Sequence, residues 1–382
     1  MRHLYPLIGL LVLTLAACGS REPDGATQFV TSITPAPASA KTDENGVARD
    51  DYGRPFSYAF LGKPLPIIKG TSLNGDAIDS SQFDNWTVID VWGLWCSDCM
   101  ADSKYVAKFA ARAPEEDINF VSLHVPASAT RATPEEMFGK HGSVEAYFDK
   151  AGFSYPTLVD TDASLRDLLQ IAWTPTYLLV SPDGVVRGFR TELSAAGGDP
   201  VEDFITDIKT LRASQEGAAA ALRDNTSMGP DGVINLSGTT MFTSAALRAA
   251  FPDYLVVADS EQTTDGPIPL FRILAPLAPK NTAPLFTIWP DWTRGSVLAV
   301  ATQNPDVQGP NGIRVGKTRF GDLYKEIGES VCTPSRMAER AMITCRLNEG
   351  TDKFTLSFPA DTESPSESLL FQMTYLPPGP AQ

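Results

Sequence analysis

The sequence has few histidines and cysteines, no long apolar run and no excess of basic residues. It holds 3 histidines and 5 cysteines among 382 residues, and because a zinc site needs four ligands, no metal centre is expected. The apolar run from Leu7 to Leu15 is too short to span a bilayer. The formal net charge of -15 argues against nucleic acid as a partner.

Length and composition indicate a globular protein with two domains. The chain is 43% hydrophobic and 20% charged, and its length exceeds what a single core usually organises. Shifts in composition predict five segments. These are a signal peptide over 1–17, a flexible tether over 18–55, one domain over 56–213, a linker over 214–229 and a second domain over 230–382. Within the linker, residues 218–223 could form one or two helical turns.

Two cysteines separated by two residues form the candidate redox centre. Apart from Asp90, residues 88–92 are β-branched or aromatic, which is typical of a central strand. After Cys99 the apolar residues recur at helical spacing, so Cys96 is expected where the strand passes into a helix. The helix N-terminus should lower the pKa of Cys96 and favour the thiolate that attacks a disulfide, with Cys99 resolving the mixed disulfide.

Each of these residues also has an ordinary interpretation. The cysteines could form a structural disulfide or half of a zinc site, although the remaining ligands for zinc are scarce. Asp90 is expected to be buried with a raised pKa, and a functional role is favoured because aspartate is otherwise disfavoured in mid-strand. The alternative is a solvated or capping aspartate.

The resemblance to the thioredoxin family rests on this run and on two segments downstream. The active-site run is carried by Asp90, Trp92, Trp95, Cys96 and Cys99. Residues 152–160 and 173–184 resemble the membrane-tethered, periplasmic thiol-disulfide oxidoreductase branch of that family. The resemblance covers about residues 56–213.

The resemblance implies roles for further residues. Asp90 would assist proton transfer at Cys99, and Pro175 would be the cis proline whose neighbour Thr174 aligns the incoming chain. Trp95 would form part of an apolar rim, or simply belong to the core. No bound cofactor is implied beyond the redox-active disulfide. The sequence departs from the common family pattern at Asp98, where proline is usual.

The residues before Cys18, Leu15-Ala16-Ala17, resemble a bacterial lipobox. This resemblance implies that Cys18 becomes the lipidated first residue of a mature protein in the cell envelope, facing the periplasm. Gly19 slightly favours the outer membrane over the inner one. An ordinary secretory cleavage site with a chance cysteine is the alternative.

The second domain is predicted to be rich in short strands and turns. Residues 312–324, with Cys332 and Cys345 behind them, resemble the uncharacterised domain of certain envelope-stress-regulated lipoproteins of Gram-negative bacteria. With Cys18 lipidated and the first pair redox-active, these last two cysteines are expected to form a structural disulfide in an oxidising compartment.

The sequence therefore predicts an α/β, thioredoxin-like domain followed by a smaller, strand-rich α+β domain. The predicted function is a lipid-anchored envelope thiol-disulfide oxidoreductase that reduces disulfides of exported proteins. Its partners would be protein substrates and a thiol-disulfide electron donor. An oxidant or isomerase remains an alternative, as does a binding or scaffold lipoprotein whose first domain is a docking module.

Overall fold

A computed structural model describes residues 29–31, 36–193, 198–263, 266–279, 281–325, 331–347, 353–360 and 364–377. The predicted signal peptide and Cys18 lie outside these ranges. Within them, no helix is both long and apolar enough to cross a membrane.

The first domain alternates strands and helices, as the sequence predicts. Its elements are β1 (Lys41–Thr42), β2 (Ala48–Arg49), β3 (Lys69–Thr71), β4 (Ala77–Asp79), β5 (Thr87–Trp92), α1 (Ser97–Arg112), β6 (Asn119–His124), α2 (Pro134–Phe138), α3 (Val144–Ala151), β7 (Thr157–Val159), α4 (Ser164–Leu168), β8 (Thr176–Val180), β9 (Val186–Arg190) and α5 (Pro200–Asp224). Five of the strands form one sheet in the order β7-β6-β5-β8-β9. The first three strands of that sheet are parallel, and β8 and β9 run antiparallel to their neighbours.

The central strand β5 is fully buried, and its two faces contact different layers. Val88 packs in a cluster with Phe109 of α1 and Phe204 of α5. Ile89 points to the opposite layer, where it packs with Leu61 and other residues upstream of β3. Because side chains alternate along a strand, Asp90 lies on the same face as Val88, toward α1. The predicted α/β, thioredoxin-like fold is confirmed.

The predicted tether over 18–55 is wrong in part, since its last third is folded onto the domain. Strands β1 and β2 form a hairpin in which the Asp43 carboxylate accepts hydrogen bonds from the backbone of Asn45 and Val47. Asp43 also pairs with Arg49, which in turn donates a hydrogen bond to the carbonyl oxygen of Ala172. Polar contacts order this hairpin, so it leaves no apolar periodicity in the sequence.

The predicted linker over 214–229 begins too early. Helix α5 continues to Asp224, and Ala219 within its last turns is buried. Alanine has the highest helix propensity of any residue type. The run of alanines at 218–221 therefore lets the helix extend beyond its amphipathic first half.

The second domain is rich in strands, as predicted. Its elements are β10 (Met228–Gly229), β11 (Gly232–Val233), α6 (Ser244–Ala250), β12 (Leu255–Thr263), β13 (Gly266–Leu274), β14 (Phe286–Asp291), β15 (Ser296–Thr302), α7 (Phe320–Leu323), β16 (Cys332–Met337), β17 (Arg340–Arg346), β18 (Phe354–Pro359) and β19 (Gln372–Tyr375). Eight strands form one antiparallel sheet in the order β12-β13-β14-β15-β19-β18-β17-β16. One face of this sheet supplies the domain core, including Ile288, Val300 and Leu356.

Cys332 and Cys345 form a disulfide between two neighbouring strands of this sheet. They lie directly opposite each other in the register of β16 and β17, and both are buried in the domain core. The bond therefore ties an edge strand to the sheet at the end of the hairpin away from its turn.

Candidate active site

The two cysteines of the first domain lie at the start of α1, immediately after the central strand. Cys96 is the N-cap residue of this helix, and its Sγ accepts a hydrogen bond from the backbone N–H of Cys99 at 3.2 Å. The two residues form a disulfide with their Cα atoms 5.3 Å apart. Cys96 is 8% exposed and Cys99 is 3% exposed, so Cys96 is the sulfur that an incoming molecule reaches more easily.

The Thr174–Pro175 segment lies against Cys96. The peptide bond between these two residues is cis, and the carbonyl oxygen of Thr174 is 3.4 Å from Cys96 Sγ. This contact brings together two segments that are 78 residues apart in the sequence. The proposed contact of Thr174 and Pro175 with a substrate stays a prediction.

Trp95 covers one side of the loop between β5 and α1. Its indole Nε1 donates a hydrogen bond to the carbonyl oxygen of Val125 at 2.7 Å, and the ring is partly exposed beside the cysteines. A Cβ atom at Gly93 would collide with this ring, so the glycine allows the indole to lie across the backbone.

Asp90 is buried behind the cysteine pair. Its Oδ2 accepts a hydrogen bond from the hydroxyl of Ser122 at 3.2 Å, while its Oδ1 has no hydrogen-bond partner among the described residues. Burial raises the pKa of Asp90 to about 8, and the nearby negative charge of Asp102 acts in the same direction, against the opposing effect of the Ser122 hydrogen bond. The carboxyl group can therefore hold or release a proton near neutral pH.

A small cavity connects this carboxyl group with the second cysteine. Its volume is about 10 Å³, and both Asp90 and Cys99 line it together with Tyr155 and Tyr177. That volume is close to what one water molecule occupies. Asp90 and Cys99 therefore border the same small space inside the domain.

Several polar residues around the site are not among the predicted ones. Ser122 binds Asp90 and also accepts a hydrogen bond from the Trp92 indole at 2.7 Å. Asp102 is buried and accepts hydrogen bonds from the Tyr177 hydroxyl and the Leu193 backbone N–H, each at 2.9 Å. Only Asp102 leaves a signal in the sequence, because Cys99, Asp102, Val106 and Phe109 are spaced along one helix face.

His124 supports the loop that leads into the cysteine pair. Its Nε2 accepts a hydrogen bond from the backbone N–H of Leu94 at 3.0 Å. Burial lowers the pKa of His124 to about 4, so the imidazole is neutral and able to accept at neutral pH.

We expect His124→Leu to destabilise the domain by about 1–3 kcal/mol, because it leaves the buried Leu94 N–H without an acceptor. Urea unfolding at pH 7 measures the change. His124→Gln is the matched control, since its amide oxygen can accept the same hydrogen bond and should recover part of the loss. Equal stability of the Leu variant and the wild type would contradict this role.

A cysteine pair at the junction of a central strand and a helix, in front of a buried carboxyl group, is the arrangement of thioredoxin-like thiol-disulfide oxidoreductases, and the first domain of this chain has that arrangement. More narrowly, residues 60–200 match the family model described as Redoxin. This portion of the chain is the domain that carries the cysteine pair.

Individual relatives each match about two fifths of the chain. The chain is 27% identical over 153 residues to the thiol-disulfide oxidoreductase ResA of Bacillus subtilis (strain 168). The matched segment covers 39% of this chain and 75% of that relative. A solved structure of a putative thiol:disulfide interchange protein DsbE from Chlorobium tepidum is 16% identical and covers 39% of this chain and 96% of its own, with a TM-score of 0.32. The uncharacterized protein yfeY from Escherichia coli is 16% identical and covers 40% of this chain and 99% of its own, also with a TM-score of 0.32.

Proposed function

We propose that this protein is a lipid-anchored thiol-disulfide oxidoreductase of the cell envelope that reduces disulfides of exported proteins. The observation that carries the proposal is the position of Cys96, which caps a helix, touches the Thr174 carbonyl oxygen and is more exposed than Cys99. The backbone N–H of Cys99 points at Cys96 Sγ and favours its ionised form.

The reaction consists of two successive thiol–disulfide exchanges. In the first, the Cys96 thiolate attacks one sulfur of the substrate disulfide, forming a mixed disulfide and releasing the other sulfur as a thiolate, which takes up a proton. In the second, Cys99 gives its proton to the Asp90 carboxylate and attacks Cys96 Sγ, which releases the second substrate thiolate. That thiolate takes up a proton from water, and Asp90 returns its proton to water. The substrate gains two electrons and two protons, and Cys96 and Cys99 become a disulfide.

A dithiol protein is the proposed electron donor, since the pair must be reduced again after each cycle. One acidic side chain supports a reductant over an oxidant. Asp98 is exposed beside Cys96, and its negative charge disfavours the thiolate form of Cys96 and so the reduced dithiol.

The envelope location and the anchor rest on the residues up to Cys18 and their resemblance to a lipobox. We expect Cys18→Ala to abolish incorporation of labelled fatty acid and to move the protein out of the membrane fraction. The matched control is Ser20→Ala, two residues further on, which should remain labelled and membrane-bound. Label on the Cys18→Ala variant would contradict the anchor.

The proposed reduction is tested with Cys99→Ser, which keeps the attacking sulfur and removes the resolving one. We expect this variant to accumulate mixed disulfides with envelope proteins, because the serine hydroxyl cannot release the bound substrate. Mass spectrometry of the adducts, before and after treatment with dithiothreitol, identifies the substrates. The double variant Cys96→Ser/Cys99→Ser is the control and should trap nothing; adducts that are equally abundant in both variants would refute the mechanism.

A further inference from the structure

The second domain contains a cleft that the redox chemistry does not use. Its volume is about 880 Å³, which falls within the range of small-molecule binding sites. Strands from both edges of the eight-stranded sheet contribute to it, β12 and β13 on one side and β16 and β17 on the other, so the sheet curves around the cleft. The face concerned is the one turned away from the core.

The cleft is basic, although the whole chain is acidic. Arg272, Arg336 and Arg340 line it, with Glu261 as the one lining carboxylate among the described residues. Arg272 is paired with Asp259, and Glu261 accepts a hydrogen bond from the Trp289 indole. The guanidinium groups of Arg336 and Arg340 are exposed on the opposite side of the cleft, and Arg336 donates a hydrogen bond to the carbonyl oxygen of Glu339.

Aromatic rings and amide side chains also line the cleft. Trp289 and Phe371 are partly exposed, and Arg340 lies over the Phe371 ring at 5.3 Å from its centroid. The Gln303 amide donates to the side chain of Gln372 at 3.0 Å. Amides held in this way present defined donors and acceptors to a ligand.

We propose that this cleft binds an anionic saccharide, whose carboxylates pair with Arg336 and Arg340 and whose rings lie against Trp289 and Phe371. Guanidinium groups bind carboxylates through two parallel hydrogen bonds, which suits them to such a ligand. A peptide is a poorer fit, because the cleft uses the face of the sheet, where backbone groups are already paired across the strands, and peptides recognised by sheets usually pair with a free edge.

The test is titration calorimetry of the full chain with a hexamer of galacturonic acid, and with its neutral methyl ester as the matched probe. We expect binding of the acid form, little binding of the ester, and weaker affinity as the salt concentration is raised. Absence of binding to the acid, or equal affinity for the two probes, would overturn the proposal.

The variant Arg336→Gln/Arg340→Gln should bind the acid at least about tenfold more weakly, as expected for lost charge-assisted hydrogen bonds. Arg294→Gln is the control, since this arginine is also exposed but pairs with Asp291 outside the cleft, and its affinity should match that of the wild type. The single reversal Arg336→Glu gives an independent check, and thermal unfolding shows whether each variant folds. Unchanged affinity in folded cleft variants would overturn the assignment, while insulin reduction by the same variants should be unaltered, which separates this site from the dithiol.

Discussion

Replacing Cys96 with serine is expected to lower the rate of insulin disulfide reduction by at least about 1,000-fold, as is usual when a covalent nucleophile is lost. A serine hydroxyl at this helix N-terminus stays protonated at neutral pH and forms no disulfide, so the first sulfur transfer cannot occur. Turbidity of precipitating insulin B chain in dithiothreitol measures the rate.

The adjacent Ser97 offers a matched control for this substitution. It is exposed and belongs to the same first helical turn, so Ser97→Ala should keep a rate close to that of the wild type. If Cys96→Ser retained comparable turnover, the reaction would depend on some other group, and the proposed reductase activity would be refuted.

Replacing Asp90 with asparagine is expected to stabilise the oxidised protein at high pH. The pKa of Asp90 is about 8 in the folded chain, against an ordinary value of 3.8, so between these values the native state holds a proton that the unfolded state has lost. The contribution of Asp90 to the free energy of unfolding therefore falls as pH rises from about 4, and it is lowest above pH 8. Four pKa units correspond to about 5 kcal/mol as an upper bound, which asparagine would recover because it cannot ionise.

Urea unfolding of the oxidised wild type and Asp90→Asn at pH 4 and pH 9 measures this effect. The cysteines do not titrate in the disulfide, and the titration of His124 cancels in the difference between the two proteins. Asp84→Asn makes the same chemical change at an exposed position and serves as the matched control. An Asp90→Asn difference that is equal at both pH values would show that the carboxyl group is not buried in its neutral form.

The same variant connects stability with catalysis. If Asp90 accepts the Cys99 proton through the small cavity, Asp90→Asn should slow insulin reduction at pH 7 while it raises stability. An unchanged rate would leave Asp90 with a purely structural effect, and the role predicted from the thioredoxin-like resemblance would be wrong.

The local sequence determined the redox element, because a strand, a turn and a helix each leave a periodic pattern over a few residues. The apolar run around Asp90 and the helical spacing after Cys99 predict the strand–helix junction and the α/β class. The N-terminal hairpin depends on contacts of Asp43 and Arg49, so apolar periodicity does not predict it. The end of α5 consists of alanines that carry no amphipathic pattern, so the sequence indicates only that residues 218–223 could be helical.

The groups that surround the dithiol and those that line the second cleft come from distant parts of the chain, and long-range packing brings them together. Ser122 faces Asp90 because β5 and β6 pair in parallel with these two residues in register, and Thr174 reaches Cys96 across 78 residues. The arginines at 272, 336 and 340 share one cleft because the sheet curves. Strand register, sheet curvature and helix packing are properties of the whole fold, and they arise from burial of residues far apart in sequence, which no short stretch of the chain encodes.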